Sequence, residues 1–117
     1  MPIRGRYTPY EWERAQKAIT YLHEHYKETI SPDHLAYEVK MDIKLIQELF
    51  RVITGQTVHQ YQVKIRLEQA LKDLPDFSSS IQIIAKRHGF KSSTQFGRQF
   101  KKSYGESPQE YRLKLIA

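Results

Sequence analysis

The chain has 117 residues, with 39% hydrophobic and 27% charged side chains and a net charge of +6, proportions that suit a globular protein rather than a disordered one. It contains no cysteine, which excludes disulfide bonds and thiolate metal sites and is compatible with a reducing cytoplasm. No apolar run approaches the ~18 residues of a membrane span, and the charged N-terminus lacks the apolar core of a secretion signal.

The first half of the chain predicts three helices. Thr8-Pro9-Tyr10-Glu11 is a capping box with proline at the first helical position, and it begins a long helix. Ser31-Pro32 begins a second, short helix. Asp42 can cap a third helix, which ends at Thr54-Gly55. The apolar residues of the first helix recur at steps of three and four, as one buried face requires: Trp12, Ala15, Ile19, Leu22 and Tyr26.

The second half predicts four more helices. A capping box at Thr57 begins a helix that runs to about Leu74, where Pro75 stops it. Ser79 or Ser80 caps a short helix that Gly89 breaks. The next helix begins in the run Ser92-Ser93-Thr94-Gln95 and ends at Gly105, and a last helix begins at Ser107-Pro108. We therefore expect an all-α fold of about seven helices, without a strand.

One pattern occurs twice along the chain. Leu35-Ala36 recurs as Ile84-Ala85 after 49 residues, whereas the later matches are all 50 residues apart. The increase in spacing from 49 to 50 residues predicts a one-residue insertion in the second copy, between its short and its long helix. The later pairs are Ile46 and Phe96, Phe50 and Phe100, Arg51 and Lys101, Gly55 and Gly105, Thr57 and Ser107, and Tyr61 and Tyr111.

Each copy is predicted to contain a short helix, a tight turn, a longer helix and a further capped helix. This is the plan of a helix-turn-helix unit, whose second helix enters the major groove of DNA. Two small helical bundles of another kind are the alternative. A helix from Thr57 to Leu74 spans about 27 Å at ~1.5 Å per residue, so two reading helices could lie about 34 Å apart, roughly one turn of B-DNA.

Positive charge is concentrated in the second copy. Residues 1–76 hold 11 Lys/Arg and 11 Asp/Glu, and residues 106–117 are also balanced. Residues 77–105 carry the whole net charge of +6 and contain no acidic residue. Nucleic acid, acidic lipid and acidic protein are the common partners of such a field, and the helix-turn-helix pattern in the same segment favours double-stranded DNA.

The second copy carries a further set of residues at characteristic spacings: Ile84, Ala85, Gly89, Phe90, Phe96, Arg98, Phe100, Lys101, Lys102, Gly105, Ser107, Pro108, Tyr111 and Arg112. This set resembles the signature of the AraC/XylS family of bacterial transcription regulators. The first copy and the segment Arg66-Leu67 fit weaker parts of the same pattern, so that the resemblance covers about residues 10 to 112. It implies two helix-turn-helix units joined by one long helix, binding to promoter DNA and, in many members, activation through RNA polymerase.

We therefore predict that residues 1–117 form a single DNA-binding unit. Its parts are a first helix-turn-helix subdomain over residues 8–56, a linker helix over 57–75 and a second subdomain over 76–117. The predicted protein is a cytoplasmic, nucleoid-associated transcription regulator, most simply an activator, with RNA polymerase as a possible second partner. Because the two copies differ in sequence, we expect an asymmetric promoter site read in two successive major grooves.

The predicted base-reading residues of the second copy lie opposite Phe96 and Phe100. Arg98 is the first candidate, because a guanidinium can donate two hydrogen bonds to guanine O6 and N7. The short side chains of Ser93 and Thr94 can read a base, bind a phosphate or cap the helix. Gly97 has no side chain to read with, but it permits close approach of the helix to DNA.

The predicted base-reading residues of the first copy are Lys44, Gln47 and Glu48. Gln47 can pair with adenine N6 and N7, and Lys44 with guanine or a phosphate. Glu48 departs from the family pattern, where a basic or neutral residue is usual. Its carboxylate can accept from cytosine N4, or it can point to solvent and pair with Lys44 or Arg51 along the helix.

Other cations are predicted to bind phosphates, which position a protein on DNA without specifying its sequence. Two histidines, His59 and His88, are weaker candidates for the same role. Arg112 can reach either a phosphate or the last carbonyl groups of a neighbouring helix. The predicted phosphate-binding residues are Lys91, Lys101, Lys102 and Arg51.

Two other classes of function are less consistent with the sequence. A basic protein-interaction module that docks an acidic partner is the alternative, and the eight tyrosines would suit an interface. An enzyme is not expected, because the sequence shows no thiol nucleophile, phosphate-binding glycine loop or metal-ligand cluster. We expect no cofactor, no metal ion and no small-molecule ligand within this chain, and no membrane partner.

Overall fold

The computed structural model describes residues 6–116. In this range the chain is all-α, with seven helices and no strand, as predicted. Every helix of the described part is too short or too polar to cross a lipid bilayer. The helices are α1 (Pro9–Glu24), α2 (Pro32–Val39), α3 (Ile43–Thr54), α4 (Val58–Asp73), α5 (Ile81–Arg87), α6 (Ser93–Tyr104) and α7 (Pro108–Lys114).

The helices begin at the capping residues that the sequence indicates. Thr8 and Glu11 form the reciprocal bonds of a capping box at α1, and Ser107 and Glu110 do the same at α7. Ser80, not Ser79, is the N-cap of α5. Such caps satisfy amide groups that the first turn of a helix leaves without a partner, which explains why polar residues mark these boundaries.

The described chain divides into two compact units, and the boundary lies within α4, between Gln62 and Val63. In unit 1, α1, α2 and α3 pack against one another. Tyr61 packs edge-on against Phe50, with ring centroids 5.3 Å apart. The buried apolar side chains of these three helices are Ala15, Ala18, Leu22, Leu35, Ala36, Val39, Ile46, Leu49 and Phe50.

Unit 2 has a core that is richer in aromatic rings. Phe96 lies 4.9 Å from Phe90 and 5.7 Å from Phe100 between ring centroids, and Tyr104 and Tyr111 also contact Phe100. The second half of α4 closes this core on its other side. The buried cluster consists of Leu67, Ala70, Leu74, Ile84, Ala85, Phe90, Phe96 and Phe100.

Within unit 2, Arg112 of α7 bonds to the carbonyl groups that follow α4. Its Nε donates to the carbonyl of Leu74 at 2.9 Å, and its Nη2 donates to the carbonyl of Asp76 at 3.0 Å. The guanidinium also lies 5.3 Å from the ring centroid of Phe77. Of the two roles that the sequence allows for Arg112, the structure therefore shows the contact with carbonyl groups at a helix end.

Candidate nucleic-acid interface

The two predicted repeats have the same local geometry. In the first, α2 ends at Lys40, which has a positive φ of 55°, and the Met41 amide donates to the Ala36 carbonyl at 3.0 Å. In the second, the residue with positive φ is Gly89, at 91°, and the Phe90 amide donates to the Ala85 carbonyl at 3.0 Å. Both turns therefore redirect the chain through the left-handed region before the longer helix begins.

The predicted insertion lies at Lys91. The helix-ending hydrogen bonds of the two repeats are 49 residues apart, whereas the N-caps of the longer helices, Asp42 and Ser92, are 50 apart. Only Lys91 occupies the additional position, between Phe90 and Ser92. Its amide donates to Gln95 Oε1 at 2.8 Å and its side chain is exposed. The second copy thus gains a lysine at the entry to its longer helix.

The exposed face of α6 contains the residues predicted to read DNA. Phe96 and Phe100 are fully buried on the opposite face, so packing fixes the rotation of the helix. Ser92, not Ser93, is the N-cap, and its hydroxyl accepts from the Gln95 amide at 3.1 Å. The predicted residues Ser93, Thr94, Arg98, Lys101 and Lys102 are exposed, as is Lys91 just before the helix, and Gly97 is half-buried.

Among the described residues, the cations of this face form no close ion pair. Within residues 6–116, no ion pair involves Lys91, Arg98, Lys101 or Lys102. The absence of acidic residues between positions 77 and 105 therefore gives this face an excess of positive charge, which Glu110 of α7 offsets in part at Lys101.

His88 is not part of that surface. Its side chain is buried, and its Nε2 lies 2.7 Å from Asp73 Oδ2, which also accepts from Arg87 Nη1 at 3.0 Å. The hydrogen bonds from His88 and Arg87 hold the pKa of the Asp73 carboxyl below its ordinary value. The interpretation of His88 as a phosphate ligand is wrong, because the histidine is buried against an acidic partner.

The exposed face of α3 carries Lys44, Gln47, Glu48 and Arg51, whereas Ile46, Leu49 and Phe50 are buried behind it. Glu48 makes neither of the intrahelical ion pairs considered from the sequence, since no ion pair of the described residues joins it to Lys44 or Arg51. Its Oε2 instead accepts a hydrogen bond from the hydroxyl of Tyr7. No periodicity or spacing connects two residues 41 positions apart, so no pattern in the sequence pointed to Tyr7.

A small cleft adjoins this face. It has a volume of about 300 Å³ and contains Arg51, Gln47 and His59 beside the first residues of α4. The tertiary fold thus brings the predicted phosphate ligand Arg51 and the weaker candidate His59 to one cleft, next to the predicted base reader Gln47. Two cation-forming side chains and a helix N-terminus suit an anionic group.

The fold and these two faces define a helix-turn-helix domain of the DNA-binding class. A family model described as "Helix-turn-helix domain" matches residues 35–114. Together with AraC-type solved structures of the same fold, this match confirms the predicted family, and the chain belongs to the AraC/XylS family. The family match covers both turns, both exposed faces and all of α4.

Curated relatives of this chain are named as bacterial transcription regulators. The raffinose operon transcriptional regulatory protein RafR of Pediococcus pentosaceus is 30% identical over 103 residues, which cover 88% of this chain and 37% of that protein. The transcriptional activator RhaS of Pectobacterium atrosepticum is 28% identical, with coverage of 87% and 37%. This chain therefore spans less than two fifths of the length of these relatives.

Two solved structures have the same fold. The DNA-binding domain of the global transcriptional factor AdpA, crystallised in complex with a target DNA, aligns with a TM-score of 0.79 and 27% identity, over 86% of this chain and 90% of that one. A regulator with an AraC-type DNA-binding domain from Chromobacterium violaceum aligns with a TM-score of 0.79 and 25% identity, over 87% and 91%.

Proposed function

We propose that this chain is a sequence-specific DNA-binding transcription regulator that reads two successive major grooves of an asymmetric promoter site with α3 and α6. The observation that carries the proposal is the exposed face of α6, where Arg98, Lys101 and Lys102 form no ion pair among the described residues. Membership of the AraC/XylS family supports it, as does the similar domain of AdpA, whose structure contains a target DNA.

In this proposal α6 makes the stronger base contacts. Arg98 donates to guanine O6 and N7, and Thr94 and Ser93 contact neighbouring bases through their hydroxyl groups. Gly97 lets the helix approach the groove closely. A Cβ added there would have no protein atom within 4 Å, so packing inside the protein does not require a glycine at this position.

The first reading helix contributes a different set of groups. Gln47 pairs with adenine N6 and N7, Lys44 reaches guanine or a phosphate, and Glu48 accepts from cytosine N4. The different chemistry of the two helices is the reason for expecting an asymmetric site. Each reading helix belongs to one helix-turn-helix subdomain, over residues 8–56 and 76–117, with residues 57–75 as the linker.

Four cations are assigned to phosphates: Lys91, Lys101, Lys102 and Arg51. All are exposed in the structure, and Lys91 and Lys101 flank the reading face of α6. These contacts would provide the electrostatic, sequence-independent part of the affinity. Activation of transcription, with RNA polymerase as the second partner, is the regulatory outcome that we propose, because relatives such as RhaS are named as activators.

Selection of binding sites from a random pool of DNA duplexes tests the proposal directly. The expected product is an asymmetric consensus with two half-sites about 10 base pairs apart, one helical turn of DNA. If about six phosphates are contacted, log K should fall with log salt with a slope near −5. A pool without enrichment, together with a slope near zero, would exclude DNA binding and would leave the acidic-protein partner as the interpretation to pursue.

A further inference from the structure

Tyr7, which precedes α1, contacts the exposed face of α3. Its hydroxyl donates a hydrogen bond to Oε2 of Glu48, a residue 41 positions later in the chain. Glu48 is exposed on the same face as Lys44, Gln47 and Arg51. The bond therefore joins the segment before the first helix to the surface that we assign to base reading.

The position of Tyr7 is fixed by its neighbours. Thr8 is the N-cap of α1, where it exchanges hydrogen bonds of 2.9 and 3.0 Å with Glu11, and this capping box holds the backbone directly after Tyr7. The Tyr7 ring lies 6.4 Å from the ring of Trp12, one turn into the helix. Its bond to Glu48 raises the pKa of Tyr7 further above neutral pH, where a tyrosine hydroxyl is protonated in any case and can donate.

This bond limits what the Glu48 carboxylate can do. Lys44 and Arg51 lie four residues before and three residues after it on the helix, a spacing at which opposite charges normally attract. Neither makes an ion pair with Glu48 among the described residues. Because the neutral Tyr7 hydroxyl donates to Oε2 of Glu48, Oε1 can still accept another hydrogen bond. Lys44 and Arg51 stay available for DNA.

We propose that Tyr7 is a positioning residue for base recognition, which orients Glu48 so that Oε1 accepts a hydrogen bond from the N4 amino group of a cytosine. Cytosine presents an amino donor in the major groove, whereas the amino group of adenine lies beside the N7 acceptor, which repels a carboxylate. The inference rests on the proposed function, since it assigns a base and a supporting residue to the first reading helix.

The test uses the full chain with Tyr7→Phe, which keeps the ring beside Trp12 and removes only the hydroxyl. Glu48→Gln and the double variant complete a cycle, and Tyr10→Phe is the matched control, because Tyr10 is 56% exposed and no hydrogen bond of its hydroxyl occurs among the described residues. Fluorescence anisotropy measures Kd for the duplex selected by the unaltered protein and for duplexes with each base pair replaced in turn.

The expected result is that Glu48→Gln reduces discrimination at one C·G pair in one half-site by about tenfold, the loss typical of a direct base contact. Tyr7→Phe should reduce discrimination at the same pair by about threefold to fivefold, the effect of one hydrogen bond, and should add nothing in the Glu48→Gln background. Tyr10→Phe should change neither discrimination nor affinity, and thermal unfolding of Tyr7→Phe should match that of the unaltered chain.

Two results would overturn the assignment of Tyr7. One is unchanged discrimination at every pair in Tyr7→Phe, and the other is an equal loss whether or not Glu48 is present. A uniform fall in affinity for all duplexes would show that Tyr7 only supports the fold. If the unaltered protein does not discriminate between duplexes at all, the proposed function itself fails, and that outcome is visible before any variant is made.

Discussion

The two helix-turn-helix repeats share a backbone plan but differ in chemistry at matching positions. Arg98 on α6 corresponds to Glu48 on α3, and the exposed cations of α6 lie in a segment, residues 77–105, that contains no acidic residue. On α3, by contrast, the carboxylate is hydrogen-bonded to Tyr7. The difference indicates that one repeated scaffold presents two exposed faces of different chemistry, one dominated by charge and one by individually placed polar groups.

The buried residues that support the exposed faces of α3 and α6 also differ. At the end of the short helix, unit 1 has the buried apolar residue Val39, and unit 2 has His88, bonded to Asp73. The core behind α6 contains several aromatic rings, whereas the core behind α3 is mainly aliphatic. Val39 and His88 are thus both buried at matching positions, although their side chains differ in chemistry.

The largest expected effect tests whether the two cores depend equally on their repeated phenylalanine. Phe100→Ala removes a fully buried ring that contacts Phe96, Tyr104 and Tyr111, and should lower the free energy of unfolding by about 3–5 kcal/mol. Urea denaturation followed by circular dichroism measures the loss. Phe50→Ala is the matched variant in unit 1 and should have a similar cost. A loss below about 1 kcal/mol for either would contradict its burial in the core.

The second effect concerns the roles assigned to the two surfaces. Arg98→Ala should weaken binding to the selected duplex by about 1–3 kcal/mol and relax the preference at one base pair, because a bidentate contact is lost. Lys102→Ala should instead weaken binding to all duplexes alike and make the salt slope shallower by about 0.9. An equal loss on selected and random duplexes for Arg98→Ala would move that residue to the phosphate-binding set.

The third effect separates packing from DNA contact at Gly97. Gly97→Ala should raise the free energy of unfolding by up to ~1 kcal/mol, since alanine favours a helix interior and the new methyl group meets no protein atom within 4 Å. Affinity for the selected duplex should fall at the same time, because the methyl group enters the groove. Gly105→Ala is the control: its φ of +80° strains any other residue, and it should destabilise the fold. A stabilised Gly97→Ala that binds DNA as before would exclude Gly97 from the interface.

The smallest effect concerns the hydrogen bonds that His88 and Arg87 make with Asp73. Unit 1 has the apolar Val39 at the position that matches His88. The hydrogen bonds of His88 and Arg87 lower the pKa of Asp73, so its carboxylate stabilises the fold fully above the unfolded value of about 3.9. That stability is lost as the pH falls through the lowered folded-state pKa. Asp73→Asn should therefore be less stable than the unaltered chain at pH 6, with a difference that shrinks towards pH 2 in urea denaturation. A difference that does not depend on pH would show that the side chain acts without its charge.

Most of the fold could be predicted from the sequence, because its signals are local. The helix boundaries follow from capping residues such as Thr8, Asp42 and Ser107, which satisfy amide groups within three residues of themselves. The buried faces follow from apolar residues spaced three and four apart. The exposure of Arg98 and Lys101 follows in turn, since burial of Phe96 and Phe100 fixes the opposite face of the same helix.

Only the tertiary structure decided the partners of residues that are distant in the chain. Glu48 could have paired with a cation on its own helix, but the fold places the Tyr7 hydroxyl beside it. His88 and Arg112 both looked able to reach DNA, and packing directs them to Asp73 and to the carbonyl groups after α4. The sequence alone determines helices and faces, because these depend on neighbours within a few residues. The partner of a polar side chain depends on which of several possible donors and acceptors the packed core brings within about 3 Å.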